Sequence, residues 1–312
     1  MRQVIWTIMT ISFCVAASFS AQAQQDAQYT QYMYNTLSVN PAYAGSREVL
    51  SAVLLHRSQW VGVDGAPTTQ TLSAHTPIAK NLMGIGLNIN HDAISPSRET
   101  YIDASYSYGI QLGRESQLNF GLNAGAHILD VDYSKLNIYD SSDPNFQTNV
   151  ENKFSPQFGL GALLFLEKYY VGLSVPRILE TKHYEQSNNS NSNSIARERI
   201  SYYLMGGYVF DLSEDVKLKP TLLTKITAGA PLQIDVSANF LLYEKLTLGA
   251  AYRWDAAVSG LVAFQFSDSW MLGFAYDADT TTYTKYNDGS FEVFLRFELF
   301  KKYNKMLTLR FF

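Results

Sequence analysis

The feature that most constrains this chain is a repeated alternation of apolar residues with small or polar ones. In the stretch 102–112, Ile102 and Ile110 fall on one face of an extended strand, while Asp103 and Ser107 fall on the other. A period of two is typical of a β-strand. About fourteen such segments follow one another along the chain. They predict an all-β fold.

The alternation and its interruptions set the expected strand boundaries. The segments Thr68–Thr76 and Val216–Lys225 have the least regular pattern, because polar residues fall on both of their faces. The predicted strands are Val49–Arg57, Thr68–Thr76, Met83–Asp92, Tyr101–Leu112, Ser116–Val131, Ser155–Leu166, Tyr169–Val175, Ile200–Leu212, Val216–Lys225, Leu232–Tyr243, Leu246–Trp254, Val258–Phe266, Trp270–Asp277 and Phe291–Phe300.

The connections between these strands are alternately short and long. The turns at 167–168 and 244–245 are tight, whereas 132–154 and 176–199 are long. Transmembrane β-barrels have short turns at one rim and long loops at the other. We therefore predict a single up-and-down antiparallel barrel of the outer membrane over residues 49–312, with both termini in the periplasm. A soluble β-sandwich is the alternative, but it would leave strand edges that closure removes.

Aromatic residues near the predicted strand ends support a membrane location. Interfacial girdles of a transmembrane barrel collect such rings at headgroup level. In a sandwich the same rings would be core residues. The candidates are Tyr101, Tyr169, Tyr170, Tyr202, Tyr203, Tyr243, Trp254, Trp270 and Phe291.

The first residues read as an export signal. Arg2 supplies a positive charge, Val4–Phe19 is almost wholly apolar, and Ala21-Gln22-Ala23 fits a cleavage site. We predict that residues 1–23 are removed. The only cysteine, Cys14, would leave with them, which excludes disulfides and thiolate metal sites from the mature chain. Without Arg2 the chain has 23 basic and 28 acidic residues, and nothing in it suggests nucleic-acid binding.

No segment after the signal is apolar enough for a transmembrane helix. The longest apolar run there is Ala162–Leu166, whereas a helix needs about 20 apolar residues to cross a bilayer. A barrel strand needs only about 10 residues of alternating character. Membrane insertion through strands therefore remains open to this chain.

Three segments fall outside the strand pattern. Residues 24–48, which we call the N-terminal segment, are rich in Tyr, Gln and Asn; we expect them to plug the lumen, line the periplasmic mouth or form a flexible lead-in. The polar run Gln186–Ser194 predicts a mobile outer loop. At the end, Leu307–Phe312 is either a tail or a last strand. Its terminal Phe312 is a candidate signal for barrel assembly.

Several short motifs resemble those of one protein family. Together they resemble the PorP/SprF family of outer-membrane proteins of the type IX secretion and gliding system of Bacteroidota, over essentially the whole mature chain. The motifs are Gln31-Tyr32-Met33, Asn40-Pro41-Ala42-Tyr43-Ala44-Gly45, His56-Arg57-Ser58-Gln59-Trp60-Val61-Gly62, Gly65-Ala66-Pro67-Thr68-Thr69-Gln70, Phe154-Ser155-Pro156-Gln157-Phe158-Gly159, Gly172-Leu173-Ser174-Val175-Pro176, Gly229-Ala230-Pro231, Tyr252-Arg253 and Phe274-Ala275-Tyr276-Asp277.

This resemblance implies a non-enzymatic role in export or surface anchoring of a cargo, such as an adhesin with a type IX C-terminal domain. It also implies contact with outer-membrane lipid, with the periplasmic ring and with peptidoglycan-binding components. The candidate partner contacts are Tyr32, Asn40, Pro41, Tyr43, Gly45, Arg57, Gln59, Trp60, Gly65, Pro67 and Gln70. Trp60 either anchors a partner, as exposed Trp residues often do, or packs its own loop over the barrel mouth.

Two other classes of function remain to be weighed. The fold alone would also suit a porin-like channel or an uptake transporter. A barrel lipase would need a Ser/His set, for which His56 and His75 with Ser58 or Ser73 are the candidates. No histidine has metal-ligand spacing, so we expect no metal and no cofactor. The paired strand glycines Gly84/Gly86 and Gly159/Gly161 are expected to let the strands bend or to let interior groups approach closely. Asp103 and Asp235 are expected in the lumen near Arg253 or Arg296.

Overall fold

The computed structural model describes residues 28–78, 82–114, 116–136, 148–179 and 199–299. The strand segments are β1 Leu50–Ser58, β2 Thr68–Ile78, β3 Met83–Ile94, β4 Ser97–Gln111, β5 Gln117–Val131, β6 Val150–Phe165, β7 Tyr169–Val175, β8 Ser201–Tyr208, β9 Phe210–Asp211, β10 Val216–Thr227, β11 Gln233–Leu242, β12 Leu246–Arg253, β13 Ala257–Gln265, β14 Trp270–Asp279 and β15 Ser290–Leu299. Single turns of 3-10 helix lie at Thr36–Ser38, Pro41–Tyr43, Tyr133–Lys135 and Thr282–Lys285.

The strands close into one antiparallel barrel. Segments β8 and β9 both pair with β10 and count as one strand interrupted at Val209, so the wall has fourteen positions. The first and last strands meet at a seam, where Leu50 pairs with Leu299 and Ser58 with Phe291. Closure confirms the predicted barrel and leaves no free sheet edge among the described strands. Because β14 and β1 occupy the two edges of β15, the wall has no position there for an additional strand.

The two faces of the wall are inverted relative to a soluble protein. Along β4 the buried residues include Asp103, Ser105 and Ser107, whereas Ile102 and Ile110 on the opposite face are exposed. The same pattern recurs around the barrel and produces an apolar outer belt. An apolar belt over a polar interior is typical of a barrel whose outer face contacts lipid. The helices of the described parts are all too short or too polar to cross a membrane.

The barrel has two unlike rims. At the rim where β1 begins and β15 ends, which we call the terminal rim, the connections of known course are short turns such as 112–116 and 166–168. The opposite rim, which we call the loop rim, carries the long connections 59–67, 132–149, 176–200 and 280–289. This asymmetry agrees with the predicted alternation only in part, because the loop rim also has short connections at 95–96 and 254–256.

The tight connection between β3 and β4 explains part of that difference. We predicted strand ends at Asp92 and Tyr101, but pairing continues to Ile94 and Ser97 around a cis Ser95–Pro96 bond. Polar residues occupy both faces of this extension. The alternation therefore fades before the hydrogen-bonded pairing ends.

The aromatic residues divide between the two faces. Six of the nine girdle candidates point outward, but Tyr101, Tyr170 and Tyr203 are buried inside the barrel, which corrects their assignment. The predicted signal 1–23, the run Gln186–Ser194 and the tail Leu307–Phe312 lie outside the described residues.

Candidate functional site: a segment threaded through the lumen

The described part of the N-terminal segment lies inside the barrel. It forms turns instead of a strand. Asn40 caps the 3-10 turn Pro41–Tyr43 by accepting a hydrogen bond from the backbone N–H of Ala42 at 3.0 Å. Its apolar and aromatic residues are at most 8% exposed; they are Tyr29, Tyr32, Met33, Tyr34, Leu37, Val39, Ala42, Tyr43 and Ala44. The segment thus supplies nine of the 22 buried residues in the main apolar core of the described barrel, and the wall strands supply the rest.

The segment descends through the whole lumen. Gln28 donates a hydrogen bond to Gln233, the first residue of β11 at the loop rim. Midway, the hydroxyls of Tyr32 and Thr221 lie 2.8 Å apart. At the terminal rim Arg47 donates to Glu298 of β15. Strand β1 begins and strand β15 ends at the terminal rim. Residue 28 lies at the loop rim, on the opposite side of the barrel.

A buried charge cluster holds the upper end of the segment, by which we mean the end nearer the loop rim. Arg57 lies 2.6 Å from Asp277 and 3.1 Å from Glu292, and all three side chains are at most 2% exposed. The backbone N–H groups of Thr30 and Gln31 donate to the two oxygens of Glu292 at 2.9 and 2.8 Å. The Thr30 hydroxyl donates to Asp277 at 2.6 Å and accepts from Arg57 at 3.0 Å. Strands β1, β14 and β15 are thereby joined through the segment.

Wall glycines form the seat of the lower half. A Cβ atom at Gly84 would lie 2.1 Å from the carbonyl oxygen of Ala44, and one at Gly121 would lie 2.1 Å from the backbone nitrogen of Ala42. At Gly161 it would meet the Asn40 side chain at the same distance. The prediction that strand glycines let interior groups approach closely is confirmed at Gly84 and Gly161. No side chain could replace them without moving the segment.

Hydrogen bonds and ring contacts complete the lower seat. The backbone N–H of Gly45 donates to Nδ1 of His75 at 3.0 Å, and the Tyr43 ring packs edge-on to His75. Gly45 needs its positive φ of 74° to make this turn. Higher up, Tyr34 stacks on Phe294 with ring centroids 4.5 Å apart.

The hydroxyls of Tyr29 and Tyr32 are buried and hydrogen-bond to the barrel wall. The Tyr29 hydroxyl meets Thr71 at 2.9 Å and donates to Asn90 at 3.0 Å. A cavity of about 40 Å³ remains beside them, lined in part by Asn88, Lys225 and Asp235. It has room for a few water molecules.

The predicted site residues fall into two groups. Tyr32, Asn40, Pro41, Tyr43, Gly45 and Arg57 are buried in the lumen and present almost no surface to a partner. The others lie at or near the loop rim, where Pro67 is also buried; they are Gln59, Trp60, Gly65, Pro67 and Gln70. Phe312 lies outside the described residues.

Trp60 packs against the neighbouring loop. Its indole stacks on Tyr283 with ring centroids 6.1 Å apart and planes at 14°. Its backbone N–H donates to the Ser290 hydroxyl at 3.2 Å. The geometry is the one expected if Trp60 fastens its own loop over the barrel mouth.

The candidate catalytic residues do not converge. His56 and Ser58 are 3.1 Å apart on the outer surface, whereas His75 is buried in the lumen and pairs in register with Ser51 at the other end of β1. Asp235 bonds to Arg253 at 2.5 Å, as expected from the sequence. Across the described ranges, no group of three His, Cys, Asp or Glu side chains is placed to hold a metal ion.

Sequence reasoning missed Thr30, Asp277 and Glu292 as members of the buried charge cluster around Arg57. A signal was present, because Asp277 and Glu292 are carboxylates that alternate with apolar residues on β14 and β15 and so must face inward. What the alternation could not provide was their common partner, since Thr30 lies more than 240 residues away along the chain.

Comparisons with known proteins agree with this architecture. The family model described as type IX secretion system membrane protein PorP/SprF matches residues 21–297. No curated protein matches the sequence. Among solved structures, the CymD monoaromatic hydrocarbon channel is 11% identical with a TM-score of 0.52, over 88% of this chain and 94% of that one. Omp33 of Acinetobacter baumannii is 8% identical with a TM-score of 0.46, over 81% and 100%. At such identities the first shows the barrel fold alone.

Proposed function

Because the chain belongs to the PorP/SprF family of type IX secretion system membrane proteins, we propose that it is a sealed barrel that supports export or surface anchoring of a cargo. The barrel is an outer-membrane component of the type IX system. It acts as a scaffold and not as a catalyst. The cargo carries a type IX C-terminal domain, and the inner-side partners are the periplasmic ring and peptidoglycan-binding components.

The observation that carries this proposal is the filled lumen. The segment from Gln28 to Arg47 extends from rim to rim and is bonded to the wall at both ends. A wall whose backbone bonds are satisfied in lipid is a stiff support. A lumen closed by covalently attached chain leaves the two rims as the surfaces available for partners.

The proposal includes an orientation. The loop rim faces the outside of the cell and the terminal rim faces the periplasm, as in barrels with short periplasmic turns. Cargo then binds at the loop rim, where Gln59, Trp60 and Gly65 lie, and the periplasmic machinery binds at the terminal rim. This orientation puts Gln28, the first described residue, at the outer rim, whereas the sequence led us to expect both termini in the periplasm.

The alternative is a porin-like channel or uptake transporter, and conductance separates it from the scaffold. The purified full chain in planar bilayers is expected to give no sustained open-channel current, whereas a variant lacking residues 28–46 is expected to conduct. A large steady current from the unmodified chain would favour the channel.

The function is tested by affinity capture of the tagged full chain from cross-linked outer membranes. We expect enrichment of periplasmic type IX components and of a secreted protein with a type IX C-terminal domain. A tagged barrel of unrelated function, expressed to the same level, is the control. Equal capture of these proteins by both baits would contradict the proposal.

A further inference from the structure

The outer face of the barrel has a groove where the wall passes from β4 to β8. In one row across these strands the outward residues are Tyr108, Phe120, Ala162, Leu173 and Leu204, each paired in register with the next. Ala162 is the only small side chain in this row. The belt is therefore indented between Phe120 and Leu173, which are 49% and 60% exposed.

The groove has the size and composition of a ligand site. Its volume is about 580 Å³, within the range of about 300–1,000 Å³ typical of small-molecule pockets. Tyr106, Tyr202 and Leu160 also line it. None of the lining side chains in the described wall is charged.

The floor of the groove is the backbone of β5 and β6 at Gly121 and Gly161. On the luminal side the same two residues receive Ala42 and Asn40 of the N-terminal segment. At this point no wall side chain separates the two sides. Whatever fills the groove lies directly behind the seat of the segment.

We propose that this groove binds one acyl chain of an outer-membrane lipid. The groove is continuous with the apolar belt that faces lipid, and its carbon-lined walls match a hydrocarbon chain. Thirteen residues line it, whereas a standard protein interface takes about 20–30 residues on each side. The bound chain supports the glycine stretch from outside while the N-terminal segment supports it from inside.

The test is native mass spectrometry of the full chain purified in detergent. The unmodified chain is expected to retain one phospholipid molecule or one lipid A molecule after other lipid has been washed away. Ala162→Phe fills the groove and is expected to lower this retention at least tenfold. The matched control is Ala250→Phe, which places the same side chain on the outer face of β12 next to Ala238 and Gly260 and is expected to retain the lipid.

Three results would overturn the proposal: no lipid on the unmodified chain, equal retention by the chain and by Ala162→Phe, or equal loss in both variants. A polypeptide that is released only by Ala162→Phe would assign the groove to a protein partner instead. The heat-dependent shift of gel mobility shows that each variant is folded before its lipid is counted.

Discussion

Arg57 on the first strand and Glu292 on the last strand form an ion pair of 3.1 Å across the seam at which the barrel closes. The same Glu292 accepts hydrogen bonds from two backbone N–H groups of the N-terminal segment. Closing the wall and seating the segment therefore use one set of buried contacts. A segment placed inside after closure would have to pass this cluster, so the wall is expected to close around it.

The first prediction is that Arg57→Ala strongly destabilises the barrel. The substitution leaves Asp277 and Glu292 buried without their cation, and breaking one partner of a buried pair costs about 3–5 kcal/mol. The measurement is the free energy of unfolding in urea, with the gel mobility of the folded form as the readout.

The matched control for that prediction is Lys168→Ala. Lys168 forms an ion pair of 3.0 Å with Asp211, but both side chains are exposed by more than a third, and exposed pairs contribute little. Equal effects of the two substitutions would show that the cluster at the seam does not stabilise the fold.

The second prediction is that Gly84→Ala loosens the segment. The added methyl group would lie 2.1 Å from the Ala44 carbonyl oxygen and 2.7 Å from the Gly45 nitrogen, and overpacking of this kind costs about 1–3 kcal/mol. Trypsin cleavage after Arg47 is expected to speed up. Gly260→Ala is the control, because a Cβ there meets nothing within 4 Å, and its cleavage rate should match that of the unmodified chain. If cleavage after Arg47 is no faster in Gly84→Ala than in Gly260→Ala, Gly84 does not hold the segment in place.

The sequence was sufficient for the wall because alternation is a local property. Residues such as Ile102 and Asp103 differ in burial for a reason that each strand carries by itself. The two weakest predicted strands also exist, as β2 and β10. Their polar residues on the inner face, such as Thr69 and Lys219, are buried in a lumen that a soluble core would not provide.

The path of the N-terminal segment was not predictable in the same way. The residues around Tyr32 show no period of two or of 3.6, and the partners that fix them come from strands far along the chain. The wall positions that seat it are glycines, which a sequence also places at bends and bulges. Only the closed wall shows that Gly84, Gly121 and Gly161 lie beneath one segment.

The third prediction separates the two interpretations of Trp60. If it mainly fastens its own loop, Trp60→Ala removes the stack on Tyr283, and such a pair contributes about 0.5–1.5 kcal/mol beyond its buried area. Trypsin cleavage at Lys285 should then accelerate while capture of cargo and periplasmic components stays unchanged. Lost capture at an unchanged cleavage rate would instead identify Trp60 as a partner anchor. Tyr286→Ala, a neighbouring exposed ring, is the control for general loop effects.

The last prediction concerns the side of the membrane on which Gln28 lies. Gln28 bonds to Gln233 at the loop rim, and the only cysteine of the chain, Cys14, lies in the predicted signal. A single cysteine introduced into the mature chain is then a unique label site. With the loop rim outside, Gln28→Cys in intact cells should react with a membrane-impermeant maleimide. Asp215→Cys, in the short turn between β9 and β10 at the terminal rim, should react only after the outer membrane is opened.

The reverse pattern would mean that the loop rim faces the periplasm. Labelling of both sites only in opened cells would place residue 28 on the periplasmic side, and the segment would then have to run through the lumen in the opposite sense.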